Sequence, residues 1–281
     1  MYFSILIGIM SVKIHNTAIV SSSAKLGDDV IIREYAIIRD NVILEDRVDI
    51  GPHVLIEGTT RIGSNTEIFH SSALGLPPQD LKYNNEPTEL VIGKNNTIRE
   101  FVSIHRGTEG GGGVTRIGDN NLLMGFSHVA HDCQLGNSII LANLAQMGGH
   151  TKIGDNAIIG GHVAIHQFVH IGVMAMVGAS ATVIQDVPPY TLVAGNPAKV
   201  HDINRIGLRR KEYPSSTIDS IHKAITILCR SGLFLDEAKR RIESGLQSNP
   251  EIEEILRFIE SRSKRGIMRG ISIKDRTKGN R

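Results

Sequence analysis

Between Ile117 and Val183, the residues at positions 117, 123, 129, 135, 141, 147, 153, 159, 165, 171, 177 and 183 read Ile, Leu, Val, Leu, Leu, Met, Ile, Ile, Ile, Ile, Val and Val. Every sixth residue is aliphatic or Met. The rule extends back through Ile92, Ile98 and Ile104, and before them from Ile14 to Leu74 at the same spacing. A period of six over most of a chain is the mark of a hexapeptide-repeat parallel β-helix, in which each short strand ends in a turn and sends one side chain to the axis. A long antiparallel strand would also place apolar residues at even spacing. It would not meet turn-formers straight after each anchor, as in Leu26-Gly27-Asp28-Asp29, Ile117-Gly118-Asp119-Asn120 and Ile153-Gly154-Asp155-Asn156. These residues tolerate φ > 0 and bend the chain. A helix is excluded, because a period of six walks around a 3.6-residue turn. Known hexapeptide solenoids coil left-handed, against the usual crossover rule, and a left-handed β-helix is expected here.

The composition agrees. Aromatic residues make up 4% of the 281 and Trp is absent, which suits a core too narrow for large rings. The net charge of +2 gives no reason to propose nucleic acid, and the aromatics that stack on single strands are missing. The two cysteines, Cys133 and Cys229, are expected reduced, as in a cytoplasmic protein. Residues 1–10 hold a short apolar run with no basic residue before it and no cleavage site after it, too short for a transmembrane segment. They are read as an N-terminal extension on which no function is built.

The repeat occupies residues 11–190, with loops at 75–91 and 106–116. The phase survives the first loop and slips by one residue across the second. The second holds Gly110-Gly111-Gly112-Gly113, which lacks the strand-loop-helix context and Lys-Ser/Thr ending of a phosphate loop and reads better as a mobile hairpin. After Tyr190 helical signals begin. Ser215-Ser216-Thr217 can cap a helix whose Ile218, Ile221, Ala224, Ile225 and Leu228 share one face, Gly232 closes it, a second helix runs from about Leu235 to Leu246, and Pro250 opens a third. A small α-helical domain is therefore expected at 191–269, with 270–281 a basic tail, disordered or a tag.

Six of the 12 histidines fall between 128 and 170. If three hexads make a coil, residues eighteen apart stack at about 4.8 Å. His131 and His150, nineteen apart, should then be neighbours on successive coils. Such a cluster serves either of two chemistries. A neutral imidazole can take a proton from a hydroxyl that attacks a thioester. Alternatively, histidines on adjoining coils can hold zinc for hydration, as in solenoid trimers of the γ-carbonic anhydrase kind. Spacing alone does not separate the two.

Local sequence does. His128-Val129-Ala130-His131-Asp132-Cys133, Gly148-Gly149-His150, Ala164-Ile165-His166-Gln167-Phe168 and Gln185-Asp186-Val187-Pro188-Pro189-Tyr190 closely resemble the UDP-N-acetylglucosamine 3-O-acyltransferase family of lipid A biosynthesis. Gln79-Asp80-Leu81-Lys82-Tyr83 and the run from Ile98 to Thr108 look like it too, and the resemblance covers roughly residues 15–269. Gly195-Asn196-Pro197-Ala198-Lys199 says only that the chain is similar to hexapeptide transferases in general.

The resemblance implies transfer of a 3-hydroxyacyl group from acyl carrier protein to the glucosamine 3-hydroxyl, with no metal and no cofactor beyond the phosphopantetheine that carries the acyl group. His131 matches the general base, Asp132 its supporting neighbour and Gly149 the backbone donor to the oxyanion. Successive strand residues face opposite ways, so without a turn Asp132 would not touch the ring of His131. Asp80, Lys82, His128, His150, His166 and Gln167 match contacts to sugar, pyrophosphate or acyl chain, while Asn204 and Arg210 match the nucleotide end. Ala179 stands at the position that rules acyl length, where Gly leaves a long groove and a bulkier residue shortens it, so a medium to long donor is expected. The chain departs from the family pattern at Ile206, where many members have an acidic residue near the uracil, at Lys211, where an Arg is common, and at Pro197, which replaces a frequent His. The family also implies a homotrimer with active sites between subunits. Arg209, Arg210 and Lys211 form a basic cluster that could meet the acidic carrier protein. The related N-acyltransferases carry an added N-terminal domain, for which a chain entering its repeat at Ile14 leaves no room. A structural or ice-binding solenoid would show no dependence on histidine.

Overall fold

The computed structural model describes residues 11–270, so the expectations for residues 1–10 and 271–281 lie outside the described residues. Strands of two to four residues, from Lys13–Ile14 to Thr182–Val183, wind into a left-handed parallel β-helix with three faces. The first face holds Lys13–Ile14, Ile31–Ile32 and their successors; the second begins at Ile19–Val20 and the third at Lys25–Leu26. Partners stand eighteen residues apart, as in Ile32 beside Ile50 and Ile50 beside Ile68. Across the first loop Ile62 pairs with Ile92, and across the second Ile92 pairs with Ile117. Both loops are thus side excursions that return the chain to register.

The anchors are the core. Ile32, Ile50, Ile92, Ile104, Leu123 and Val177 are at most 1% exposed, and the residues two before many of them (Val30, Val48, Val163) are inside as well. Inward alternation within two- and three-residue strands is what makes the six-residue period visible. The residues after the anchors do bend the chain with φ > 0. The left-handed backbone falls on the third residue after the anchor, at Asp29, Asn120 and Asn156, and also on bulky residues such as Phe101 and Leu144. The glycine just after the anchor gives room instead. A Cβ on Gly118 would meet Asn137 Oδ1 at 2.5 Å, the side chain that receives the Asp119 N–H of the turn beneath it.

The helical region starts later than the loss of period suggests. Thr191–Gly195 still pairs with Met176–Val177 and forms an antiparallel hairpin with Ala198–Ile203. Among the described residues four helices follow: α1 (Arg205–Arg210), α2 (Ser215–Arg230), α3 (Leu235–Gly245) and α4 (Pro250–Glu260). The apolar face of α2 is buried as its spacing predicts. Its expected Ser/Thr cap is absent: Ser215, Ser216 and Thr217 lie inside the helix, and Pro214 takes the capping position with no side-chain bond. Asn249 does cap α4, accepting the Ile252 N–H at 2.9 Å. The segment after α4 returns to the solenoid. Buried Asp186 there accepts the His170 N–H at 2.8 Å and both the N–H and Oγ of Ser263 at 2.6 Å. Cys133 and Cys229 are free and buried. No helix among the described residues is long and apolar enough to cross a membrane.

Candidate active site

Both loops leave the β-helix where its second face turns into its third, and the same corner carries His131, Gly149, His150, His166 and Gln167. With an eighteen-residue coil, corresponding positions stack: His131 under Gly149 under Gln167, and Asp132 under His150 under Phe168. The second series shares one conformation, with φ +61° at Asp132, +60° at His150 and +68° at Phe168. The rings follow that order. His131 and His150 meet edge to face with centroids 5.1 Å apart, as the spacing predicts, and His150 lies flat on Phe168 at 4.4 Å.

A left-handed turn supplies the condition under which Asp132 can reach the ring of His131. Because Asp132 is a turn residue, its carboxylate swings back to its own neighbour, and His131 Nδ1 lies 2.7 Å from Asp132 Oδ2. The carboxylate is enclosed. It also accepts the Thr108 N–H at 2.8 Å and the Thr108 hydroxyl at 2.6 Å, while its own N–H donates to Thr115 Oγ at 2.8 Å. Burial pushes the Asp132 pKa up, but the bonds from His131 and Thr108 outweigh it and leave the group below the usual carboxylate range. An ionised Asp132 has no proton to give, so Nδ1 of His131 donates and Nε2 is left as the basic nitrogen.

Gly149 sits directly over that ring. A Cβ there would come within 2.7 Å of His131 Cε1 and Nε2. The glycine makes room for the imidazole, and among the described residues its N–H makes no hydrogen bond. Two grooves meet here. One of about 410 Å³ is bounded by His105, His128, His131, Gly149, His166 and Gln167; another of about 590 Å³ is bounded by Asp80, Lys82, His131, His150, Gln167 and Phe168.

His128 on the second face is held by Ser103, with Nδ1 and Oγ 2.7 Å apart, and burial lowers its pKa. His105, edge-on to His128 at 4.8 Å, is pushed down to about 4 by burial, with repulsion from His128 and His131 adding to it. Burial also lowers the pKa of His150, against the pull of Asp132. At neutral pH these imidazoles surround His131 without adding charge.

The sequence-predicted residues divide in two. Asp80, Lys82, His128, His131, Asp132, Gly149, His150, His166 and Gln167 converge on this corner. Asn204, Arg210 and Ala179 do not join them within one chain. Asn204 caps α1, accepting the Gly207 N–H at 3.0 Å and donating to the Met174 carbonyl at 2.9 Å. Arg210 ends α1, exposed, and Ala179 is an exposed turn residue between the first and second faces. Three participants were missed: Ser103, His105 and Thr108. The first two sit on the second face one coil below His128, and their places in the run Ile98 to Thr108 were signal enough. Thr108 opens a loop that has no period to read.

The atoms of His131, Asp132 and His150 nearest one another lie within 4.8 Å, a spacing that could hold a cation. Asp132 Oδ2 is already shared by the His131 ring and the Thr108 hydroxyl, which suits a carboxylate that orients a base.

Known proteins resemble this chain over most of its length. Residues 186–268 match the family model described as UDP-N-acetylglucosamine O-acyltransferase, domain 2, and residues 23–58 match the bacterial transferase hexapeptide model. The chain is 48% identical over 261 residues to the acyl-(acyl-carrier-protein)-UDP-N-acetylglucosamine O-acyltransferase of Paraburkholderia phymatum, covering 92% of this chain and 99% of that one. It is 49% identical over 204 residues to the protein of that name from Nautilia profundicola, covering 72% and 78%. The structure of LpxA from Acinetobacter baumannii superposes with a TM-score of 0.89 at 42% identity, over 91% of this chain and 99% of that one.

Proposed function

The chain belongs to the family of acyl-carrier-protein-dependent UDP-N-acetylglucosamine O-acyltransferases, which carries out the first step of lipid A biosynthesis, and from that premise we propose that His131 is its general base. Nε2 of His131 takes the proton of the glucosamine 3-hydroxyl as that oxygen attacks the thioester carbonyl of a 3-hydroxyacyl donor. The Gly149 N–H receives the developing oxyanion, where a preorganised donor lowers the barrier most. Collapse of the tetrahedral intermediate breaks the C–S bond. The imidazolium returns its proton to the departing thiolate of phosphopantetheine, and no other cofactor enters.

The observation that carries this reading is the 2.7 Å contact between His131 Nδ1 and Asp132 Oδ2, with Gly149 stacked above the same ring. His128, His150, His166, Gln167, Asp80 and Lys82 border the grooves in which sugar, pyrophosphate and acyl chain would lie. Asn204, Arg210 and Ala179 complete the site in a homotrimer, where a neighbouring subunit supplies what one chain keeps apart. Ala179 sets the donor at medium to long chain length. The reaction is placed in the cytoplasm, where carrier protein and nucleotide sugar are both at hand.

The test is acyl transfer from acyl carrier protein to UDP-N-acetylglucosamine by metal-stripped wild type and His131→Ala side by side. Activity that survives chelation and disappears in the variant supports the base. Wild type that stays silent with every donor after stripping, and recovers only with zinc, would overturn it.

A further inference from the structure

The second loop stands outside the six-residue rule, yet it makes the closest polar contacts at the site. Thr108 uses two donors on one carboxylate: its N–H on Asp132 Oδ1 at 2.8 Å and its hydroxyl on Oδ2 at 2.6 Å. The chain then turns over that carboxylate through Glu109–Gly111, and the Gly111 N–H donates to Thr108 Oγ at 3.1 Å. Gly111 has to be glycine for the approach, since a Cβ would fall 2.0 Å from Asp132 Cγ. The far end of the loop grips the same residue, with Thr115 Oγ accepting the Asp132 N–H at 2.8 Å. The side chain of Asp132 is left 0% exposed.

We propose that Thr108 and Gly111 form a positioning clamp that acts through Asp132 to fix the ring of His131; this rests on the reading of His131 as the general base. A carboxylate has about four acceptor sites and turns freely about its last torsion. Thr108 N–H occupies Oδ1 and so sets the angle at which Oδ2 meets His131. Released, Oδ2 has an alternative partner in His150 Nδ1, 3.7 Å away. The donors point one way, from Gly111 N–H to Thr108 Oγ and from Thr108 O–H to Asp132, so each strengthens the next. Outer partners of this kind commonly contribute about ten- to a hundredfold to the function of the group they hold.

The experiment compares Thr108→Val, Thr108→Ser, Gly111→Ala and His131→Ala in full-length protein, measuring kcat, KM for UDP-N-acetylglucosamine and the pH profile. Thr108→Val should lose about ten- to a hundredfold in kcat with KM changed by less than about threefold. Its pH profile should change as well, because the carboxylate no longer meets the His131 ring at the wild-type angle. Thr108→Ser should restore kcat to within about twofold, since it keeps both donors. Gly111→Ala, which displaces the carboxylate while leaving the Thr108 side chain unchanged, should repeat the kcat loss and serves if Thr108→Val fails to fold. Wild-type kcat and pH profile in Thr108→Val or in Gly111→Ala beside an inactive His131→Ala would overturn the clamp alone. Equal damage from Ser and Val would likewise overturn it, by assigning Thr108 a packing role. An active His131→Ala would remove the base and the clamp together.

Discussion

The imidazole of His131 is held by the carboxylate of the next residue in the chain, with Nδ1 and Oδ2 2.7 Å apart, because Asp132 adopts φ +61°. In an extended strand these side chains would leave on opposite faces. A single left-handed residue turns an alternation into a pair. Since every coil of this solenoid turns with a residue of that conformation, the contact between the two side chains needs no distortion of its own.

Asp132→Asn should keep the shape of the turn and lose the chemistry. An amide NH₂ facing Nδ1 would favour the tautomer protonated at Nε2, which cannot accept a proton. By analogy with oriented histidines in hydrolases, kcat should drop by about 10²- to 10⁴-fold with KM little changed. Steady-state kinetics beside circular dichroism would check it, and a folded Asp132→Asn with wild-type kcat would sink the orienting role.

Gly149→Ala retains the backbone N–H and adds one methyl group, 2.7 Å from the working edge of the His131 ring. A loss of about a hundredfold in kcat is expected, of the size seen when reacting groups are misplaced by an ångström. The melting temperature should change little by comparison. An unimpaired variant would mean that the ring has slack the geometry denies.

His105 makes stability depend on pH. Its folded pKa near 4 lies below the ordinary 6.5, so between these values the unfolded chain binds the extra proton. The stabilisation is complete above about pH 6.5 and is lost as pH falls towards 4, at up to roughly 1.4 kcal/mol per pH unit per group. His128, His150 and His170, also lowered by burial, act in the same direction. Urea unfolding at pH 7 and pH 5 should show a smaller difference for His105→Gln than for wild type. Identical differences would mean that this imidazole is not the source.

Asp186→Ala should release the C-terminal segment rather than the solenoid. It leaves the His170 N–H and both donors of Ser263 without their acceptor, a cost of about 2–4 kcal/mol. Hydrogen exchange should accelerate first over residues 263–268, with the strands protected as before. Uniform acceleration through the β-helix would contradict a local role.

The residues readable from sequence were those governed by the repeat. The period placed His131 and His150 on adjoining coils because stacking distance follows from coil length alone. It did not reveal their link to Asp132, which depends on a dihedral that Asp, Phe and Leu all adopt here. The Gly run, read as a mobile hairpin, is where the chain folds over a buried carboxylate, a task set by a partner nineteen or more residues away. Ser215 to Thr217 looked like a cap because cap preference is local, whereas Pro214 was placed by the chain arriving from α1. Asn204 adds to its local cap bond a tertiary one to the Met174 carbonyl, which no local pattern encodes.

The coil register also has a genetic consequence. His131, Gly149 and Gln167 form a column only while the gene supplies eighteen codons per coil. One codon gained or lost between Val129 and Met147 would rotate every later turn out of line. Length can vary freely only where the chain leaves the solenoid and rejoins it, at the loops of 75–91 and 106–116. Both lie on the corner that holds the histidines, so insertions and deletions that the fold tolerates fall beside the proposed site and reshape its grooves.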